Sequence, residues 1–185
     1  MSEELLPTGI NDPPGAEIRS ATEADAAAIR DIYEPFVTGT AISFESETPD
    51  VPAIARRIRD SHAWLVCTGG RRILGYAYAA PFHSRAGYRW SVEVSVYVAG
   101  DAQGAGAGRS LLTSLLDQLT QRGFVNAFAG IALPNPASVH LFESLGFEQI
   151  GLQKSPGFKL GAWHDVGWWQ RQLRPPGLPP PPLDP

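Results

Sequence analysis

A glycine-rich segment near the middle of the chain has the residue types of an anion-binding site. Three glycines occur within five residues in the stretch Gln103-Gly104-Ala105-Gly106-Ala107-Gly108-Arg109. The strand-like stretch Ser95–Val98 precedes this segment, and an apolar helical pattern follows it. A strand that turns through glycines into a helix directs free backbone N–H groups and the positive end of the helix dipole at one point. Because glycine has no Cβ, a phosphate chain can approach such a backbone closely.

Two well-known phosphate motifs fit the segment poorly. No Lys-Ser/Thr pair follows the glycines, as a P-loop requires. Leu111 stands where a Rossmann fingerprint needs its third glycine or alanine. A nucleotide-binding module and a flexible turn therefore stay open as alternatives on these residues alone.

One carboxylate lies on the strand that leads into the glycine segment. Period-two alternation places Val92, Val94, Val96 and Val98 on one face of this strand. Glu93 lies on the opposite face, together with Ser91, Ser95 and Tyr97. A carboxylate in this position is either a general base or a solvated strand residue, and the spacing alone does not decide between them.

The composition is that of a soluble globular domain, with 43% apolar and 18% charged residues in 185. A net charge of −4 without a Lys/Arg cluster argues against a nucleic-acid partner. No apolar run reaches the roughly 18 residues of a membrane span, and the first residues lack the pattern of a signal peptide. Cys67 is the only cysteine, which excludes an internal disulfide and predicts a buried thiol in a cytoplasmic protein.

Proline-rich ends bracket the predicted domain. We predict a flexible leader over 1–15, one domain over 16–173 and a disordered tail over 174–185, where seven of twelve residues are proline. Within the domain the patterns predict an α/β fold with one central mixed sheet. The predicted strands are 17–20, 64–68, 73–82, 89–99, 124–131, 148–153 and 165–173. The predicted helices are 22–37, 50–59, 108–121 and 136–145, the first two with the capping residues Thr22 and Asp50.

This order of elements, with the glycine segment after the fourth strand, resembles the GNAT acyltransferase superfamily. Within that superfamily, residues 17–173 are similar to the phosphinothricin (bialaphos-resistance) and methionine sulfoximine N-acetyltransferases. The similar segments follow the family's order and spacing, and they are Phe44-Glu45, Tyr76–Ala79, Arg85–Tyr88, Glu93–Val98, Ile131–Asn135 and Gly161–Gly167. The resemblance implies a mostly antiparallel central sheet with splayed strands flanked by helices. It also implies acetyl-CoA as cosubstrate, no metal, a homodimer and a role in antibiotic or herbicide resistance.

The resemblance assigns coenzyme contacts to three parts of the chain. Backbone groups of Val96, Tyr97 and Val98 would bind the pantetheine arm. The pyrophosphate would lie on Gln103, Gly104, Ala105, Gly106, Ala107, Gly108 and Arg109. Asn135 would contact the pantetheine or the reacting centre, although it also fits a helix cap, and Ser144 matches a position near the coenzyme.

The resemblance also matches Glu93 with the family's glutamate, a general base that takes a proton from the substrate's α-amino group. The oxyanion would face a backbone N–H near Tyr97 and Val98. Many superfamily members carry a tyrosine on the final helix, but this chain has Phe142, which cannot protonate the departing thiolate. Water, another side chain such as His140, or unassisted departure are the alternatives, and His140 equally fits an exposed helical residue.

Substrate recognition is expected in the connection between the third and fourth strands. The planar donors of Arg85 suit a carboxylate, phosphinate or sulfone oxygen. The neighbouring residues assigned to this site are Ala86, Gly87 and Tyr88. Phe44 resembles an aromatic residue that closes the family's pocket, with core packing as an equal alternative. His83 stands where relatives carry lysine, which reduces positive charge near neutral pH.

The sequence thus predicts an N-acetyltransferase for a small amine such as phosphinothricin, methionine sulfoximine or methionine sulfone. The alternative is a non-catalytic acyl-CoA-binding sensor that keeps the fold, which Phe142 allows. No nucleophile accompanies His164-Asp165, so we predict a structural role for that pair. Packing in the core or at a subunit interface is predicted for Trp163, Trp168 and Trp169.

Overall fold

The computed structural model describes residues 15–183, so most of the predicted leader lies outside the described residues. One seven-stranded sheet has the strand order β1-β2-β3-β4-β5-β7-β6. Its strands are β1 (Ala16–Ser20), β2 (Ala63–Gly69), β3 (Arg72–Pro81), β4 (Ser91–Val98), β5 (Asn126–Ala132), β6 (Glu148–Lys159) and β7 (Ala162–Gln172). The helices are α1 (Ala26–Gly39), α2 (Val51–Asp60), α3 (Ala107–Gln121) and α4 (Pro136–Ser144). The predicted α/β fold with a mostly antiparallel sheet is confirmed.

The only parallel neighbours in this sheet, β4 and β5, separate after three residue pairs. The pairing joins Ser91–Glu93 to Asn126–Phe128, and no later pair connects the two strands in the described part of the chain. The other edge of β4 stays paired with β3 as far as Val98. One edge of the segment Val94–Val98 therefore faces an opening, where backbone N–H and C=O groups are available to a ligand.

Helices cover both faces of the sheet. Helix α3 packs its leucines against the face that carries Val92 and Val94, both of which are buried. Helices α1 and α2 cover the opposite face, where Tyr97 makes edge contacts with Tyr33 and Phe36 at ring distances of 5.0 and 5.2 Å. The predicted division of β4 into a valine face and a polar face is therefore correct.

Local capping explains where the first two helices begin. Asp25 accepts the backbone N–H of Thr22 at 2.8 Å, and a single 3₁₀ turn, Glu23–Asp25, precedes α1. Asp50 accepts the backbone N–H of Ala53 at 2.8 Å at the start of α2. None of the helices within residues 15–183 has the length and apolar character needed to cross a membrane.

The β6–β7 hairpin is longer than predicted from the sequence. Strand β6 continues six residues beyond the expected end at Gln153, and β7 begins three residues before Asp165. Register shifts between Gln149 and Gly151 and between Gln153 and Gly157 interrupt the alternation that the sequence argument used.

The proline-rich tail is described as far as residue 183. It contains no helix or strand, as its prolines lead us to expect. The tail nevertheless lies against the domain, because the Pro181 carbonyl accepts a hydrogen bond from the Trp90 indole at 2.8 Å. Leu183 packs against the core that α3 forms.

Candidate active site

The glycine segment forms the entrance to α3. Gly106, the N-cap of this helix, has φ +93°, and Gly104 has φ +79°, a backbone region that favours glycine. The first amides of α3 have no intrahelical acceptor and point out of the helix end. Ala107, the first residue of α3, is buried, so its methyl group does not project into the space in front of the helix end. This cradle of amides without obstructing side chains fits a pyrophosphate.

Gly108 is a helical residue without the positive φ of Gly104 and Gly106. A Cβ at this position would lie 3.4 Å from Leu141 and 3.5 Å from Val98. These are ordinary van der Waals distances, so Gly108 lies at the contact of α3 with β4 and α4, which flank the opening between the strands.

Side chains around the cradle connect it to the neighbouring elements. Arg109 donates a hydrogen bond to the Ser144 hydroxyl at 2.7 Å, which joins α3 to α4. The Gln103 amide donates to the Val98 carbonyl at 3.2 Å, which holds the loop on β4. The structure thus brings together four residues that the sequence analysis assigned to the coenzyme.

A narrow cleft occupies the opening where β4 and β5 separate. Its lining residues come from the α1–α2 loop, both strands and α4: Ile42, Val94, Ser95, Val96, Tyr97, Gly130, Ile131, Ala132, Asn135, Ser138 and Phe142. The predicted residues Val96, Tyr97 and Asn135 belong to this lining. Asn135 also accepts the backbone N–H of Ser138 at 3.2 Å, so it both caps α4 and borders the cleft.

Ser138 was not predicted as a site residue, although helical spacing offered a signal for it. Ser138 lies three residues after Asn135 and four before Phe142, which places all three on one face of α4. Phe142 is buried and contacts Phe147 edge to face at 5.1 Å, and its side chain has no proton to donate. His140 is exposed and is not part of the cleft lining.

A larger cavity, of about 1090 Å³, lies away from these residues. It is bordered by α1 and by the turn between β2 and β3, and Gln103 is its one predicted site residue. We place the candidate site at the narrow cleft, because the cleft joins the splayed strands to the polar face of β4.

Glu93 lies on β4 just before the strands separate. Its pairing partners are Ala80 on β3 and Phe128 on β5. Among residues 15–183, no hydrogen bond or ion pair holds its carboxylate. The side chain is half-buried, and this desolvation raises the pKa of Glu93 above its ordinary value. The carboxylate is therefore a stronger base than a solvated glutamate and is not occupied by a protein partner.

Aromatic side chains surround this end of β4. Phe82 stacks on Phe128 at a ring distance of 4.1 Å and meets Trp168 edge to face at 6.1 Å. Burial raises the pKa of Tyr78 above its ordinary value. Tyr78 and Phe128 lie on β3 and β5, the two strands that pair with β4 at Glu93.

A polar network anchors the loop between α1 and α2. The Tyr33 and Ser43 hydroxyls are 2.6 Å apart, and Tyr33 also donates to Glu45 at 3.1 Å. Arg57 forms an ion pair with Glu45 at 2.7 Å. Burial raises the pKa of Tyr33 to about 12, so this hydroxyl remains a donor at physiological pH. Lys159 on β6 adds a hydrogen bond to the Ser43 carbonyl.

Phe44 is carried by this anchored loop and lies outside the core. Its side chain is 41% exposed and lies against the β6–β7 hairpin. A Cβ at Gly157 would come within 2.4 Å of the Phe44 ring, so glycine makes room for the aromatic side chain. His164 contacts the same ring at 6.2 Å. The core-packing alternative for Phe44 is therefore wrong.

The predicted substrate residues form an exposed connection between β3 and β4. Ala86–Tyr88 make one 3₁₀ turn, in which the Tyr88 N–H donates to the Arg85 carbonyl at 2.9 Å. His83 Nδ1 accepts the Arg85 backbone N–H at 3.3 Å, and the His83 ring lies 4.9 Å from the Tyr88 ring. Within the described residues the Arg85 guanidinium has no ion pair, so its charge is available to a ligand.

His164 and Asp165 have local hydrogen-bond partners within the β6–β7 hairpin. The His164 Nε2 atom is 3.0 Å from the Lys159 carbonyl. Asp165 accepts from Lys154 and from the Ser155 backbone, both at 2.9 Å. No group of three or more His, Cys, Asp or Glu side chains between residues 15 and 183 is arranged to hold a metal ion.

A splayed β4–β5 pair that leads into a glycine-rich anion cradle defines an acyltransferase fold of the GNAT class. The family model for the acetyltransferase (GNAT) domain matches residues 18–168, and the chain belongs to this family. The predicted family, the N-acetyltransferase class and acetyl-CoA as cosubstrate are thereby confirmed.

Individual relatives are similar over nearly the whole chain. The phosphinothricin N-acetyltransferase of Streptomyces viridochromogenes is 40% identical over 169 residues, which cover 89% of this chain and 92% of the relative. The L-methionine sulfoximine/L-methionine sulfone acetyltransferase of Salmonella typhimurium is 37% identical and covers 84% of this chain and 94% of its own length. A solved phosphinothricin acetyltransferase from Sinorhizobium meliloti in complex with acetyl-CoA has a TM-score of 0.82 at 35% identity, covering 85% of this chain and 88% of its own.

Proposed function

We propose that this protein transfers the acetyl group of acetyl-CoA to the α-amino group of a small amino-acid analogue. Phosphinothricin, methionine sulfoximine and methionine sulfone are the substrates that the names of its relatives support. The observation that carries the proposal is Glu93, a half-buried carboxylate without a protein partner, next to the cleft where β4 and β5 separate.

The coenzyme would lie along the open edge of β4. Acetyl-CoA supplies the acetyl group as a thioester. The amides at the start of α3 would hold the pyrophosphate, and the backbone of Val96–Val98 would hold the pantetheine arm as a partner strand would. Arg109, Ser144 and Asn135 complete the coenzyme contacts that we propose.

Glu93 would act as the general base. An α-amino group has an ordinary pKa near 7.7–8.0, so it is largely protonated at neutral pH and cannot attack. Glu93 would accept one proton from the ammonium group, directly or through one water, and leave a neutral nucleophile. The raised pKa of Glu93 favours this step, because a base works best when its pKa approaches the working pH.

The substrate's acidic end would bind at the β3–β4 connection. Arg85 would pair with a carboxylate, phosphinate or sulfone oxygen, with Tyr88 beside it. Phe44 would cover the substrate from the anchored α1–α2 loop. Because Phe142 has no proton to donate, the coenzyme A thiolate would either be protonated by water or depart without protonation.

We also propose a cytoplasmic homodimer. The β6–β7 hairpin exposes Phe158, Leu160 and Trp163, each with 59–64% of its surface accessible. Strand β6 is an edge strand of the sheet, which offers unpaired backbone groups to a second copy. Sedimentation of the wild type and of Trp163→Asp tests the dimer, and a monomeric wild type would contradict it. A buried single cysteine, Cys67, fits a reducing compartment.

The decisive experiment measures thiol release from acetyl-CoA with a panel of amino acids and analogues. We expect turnover with phosphinothricin or with methionine sulfoximine or sulfone, and N-acetylated product in mass spectrometry. Tight acetyl-CoA binding with no thiol release for any amine would instead favour the non-catalytic sensor, which the buried Phe142 permits.

A further inference from the structure

We propose that a C-terminal strap, residues Leu178–Leu183, positions the substrate loop, residues Phe82–Trp90, for amine binding. The inference rests on the proposed function, because it concerns the amine site of that reaction. The strap lies beyond residues 18–168, which the family model matches.

The first contact is the hydrogen bond from the Trp90 indole to the strap. Trp90 Nε1 donates to the Pro181 carbonyl at 2.8 Å, and Trp90 is half-buried. The Arg89 guanidinium lies 4.1 Å from the centre of the same ring. Loss of the carbonyl would leave a partly buried N–H without its acceptor, which destabilises this ring position.

The second contact is a close approach of backbone to backbone at Gly123. This residue has φ +93°, and a Cβ on it would come within 2.2 Å of the Pro182 carbonyl oxygen. Leu183 then packs against the core beneath α3. The strap is therefore fixed to the α3–β5 turn on one side and to Trp90 on the other.

The substrate loop is anchored to the domain at its two ends, and the strap contacts the second of them. Phe82 anchors the first end by stacking on Phe128. At the second end, the Trp90 carbonyl accepts the backbone N–H groups of Val125 and Asn126 at 2.9 and 3.2 Å, beside the turn that the strap contacts. The residues between the ends, which include Arg85 and Tyr88, are exposed. The backbone at both ends of the loop is thus held by the domain, and the orientation of the Trp90 ring is what the strap determines.

The coenzyme cradle lies at the other end of β4, after Val98. A strap that acts on the substrate loop should change amine binding and leave coenzyme binding alone. A change in amine binding without a change in coenzyme binding would distinguish a positioning role of the strap from a general contribution to folding.

The first test replaces Trp90 with phenylalanine in the full-length protein, which keeps an aromatic ring and removes the N–H donor. We expect the KM for the amine to rise by about three- to tenfold, the range of one lost neutral hydrogen bond. The KM for acetyl-CoA should stay within twofold of the wild-type value.

The second test is Gly123→Ala, whose Cβ would displace the strap at Pro182. Gly70→Ala is the matched control, because Gly70 also has positive φ (+62°) but its Cβ would contact nothing within 4 Å. We expect Gly123→Ala to reproduce the effect of Trp90→Phe on the amine KM and Gly70→Ala not to do so. The double variant Trp90→Phe/Gly123→Ala should be no worse than the poorer single variant, since both changes act by releasing the same strap.

Hydrogen exchange provides a readout that does not depend on activity. Amides of residues 86–90 should exchange faster in Trp90→Phe and Gly123→Ala than in Gly70→Ala. If no amine is acetylated, the proposed function fails, while this measurement still tests the strap. Unchanged exchange in both variants overturns the proposal, and so does a parallel rise of the amine and acetyl-CoA KM values.

Discussion

Replacing Glu93 with glutamine should affect catalysis and stability in opposite directions. The amide has the shape of the carboxylate but cannot accept a proton from the substrate ammonium. Loss of a general base costs about 10²–10⁴ in rate, which corresponds to roughly 3–5 kcal/mol of transition-state stabilisation. We expect kcat/KM at pH 7 to fall by that factor and to recover in part at higher pH, where more of the amine is already neutral.

The stability effect follows from the direction of the pKa shift. Burial raises the pKa of Glu93 in the folded protein, so the Glu93 carboxyl group binds its proton more tightly in the folded state than in the unfolded chain. Stability from this group is therefore present at acidic pH and is lost as the pH rises through the folded-state pKa. At pH 7 the ionised, half-buried carboxylate destabilises the fold, so Glu93→Gln should melt at a higher temperature than the wild type. The difference should shrink towards pH 4.

Thiol-release kinetics and thermal melts at pH 4 and pH 7 measure both effects on the same samples. Glu148→Gln is the control, because Glu148 is an exposed strand carboxylate on β6. Glu93→Gln with wild-type kcat/KM at pH 7 would refute the general-base assignment. A lower melting temperature than the wild type at pH 7 would refute the argument from burial.

Three further predictions test other parts of the site and fold. Gly106→Val should weaken acetyl-CoA binding at least tenfold in calorimetry, because φ +93° is strained for valine and the valine side chain would enter the anion cradle. The control Gly70→Val should leave the affinity for acetyl-CoA unchanged. His83→Lys should add a charge-assisted contact and so raise kcat/KM for phosphinothricin about tenfold relative to methionine sulfone. Arg85→Ala should lower kcat/KM for every substrate. Equal kcat/KM for phosphinothricin in the wild type and in His83→Lys would contradict the charge argument. Asp25, whose folded-state pKa is lowered to about 2 by its ion pair and cap contacts, should stabilise the protein above pH 4. Asp25→Asn should therefore lose about 1–2 kcal/mol of unfolding free energy at pH 7 in denaturant titrations, and a loss that persists at pH 2 would refute the linkage.

Sequence patterns predicted the fold well where one periodicity ran without interruption. The alternation along β4 gave the correct faces for the valines and for Glu93, because a strand of period two with one buried face allows a single register. Alternation did not predict the bounds of the strands in the β6–β7 hairpin. Two register shifts there interrupt the alternation, and the side chains of β6 are largely exposed, so hydrophobicity does not mark where the strand ends.

The candidate site was predictable in its backbone elements and less so in its tertiary contacts. The glycine cradle is local in sequence, and its two positive-φ glycines lie where the spacing indicated. The link between Arg109 and Ser144 spans 35 residues, and the contact of Trp90 with Pro181 spans 91. Such contacts depend on how separate elements pack, which residue types and spacing do not specify. The composition of the tail likewise does not specify its contact with Trp90.

The geometry of β4 explains why one strand can serve both halves of the proposed reaction. Glu93 and Val98 are five residues apart, or about 16 Å along an extended strand. Hydrogen bonds to β3 run along this whole segment on one edge, so the distance from the base to the anion cradle is fixed before any ligand binds. The other edge is open because β5 leaves the ladder after Phe128. A ligand can therefore join the sheet at its free edge without rearranging the strand that carries the base, and this preorganisation is what a two-substrate transfer requires.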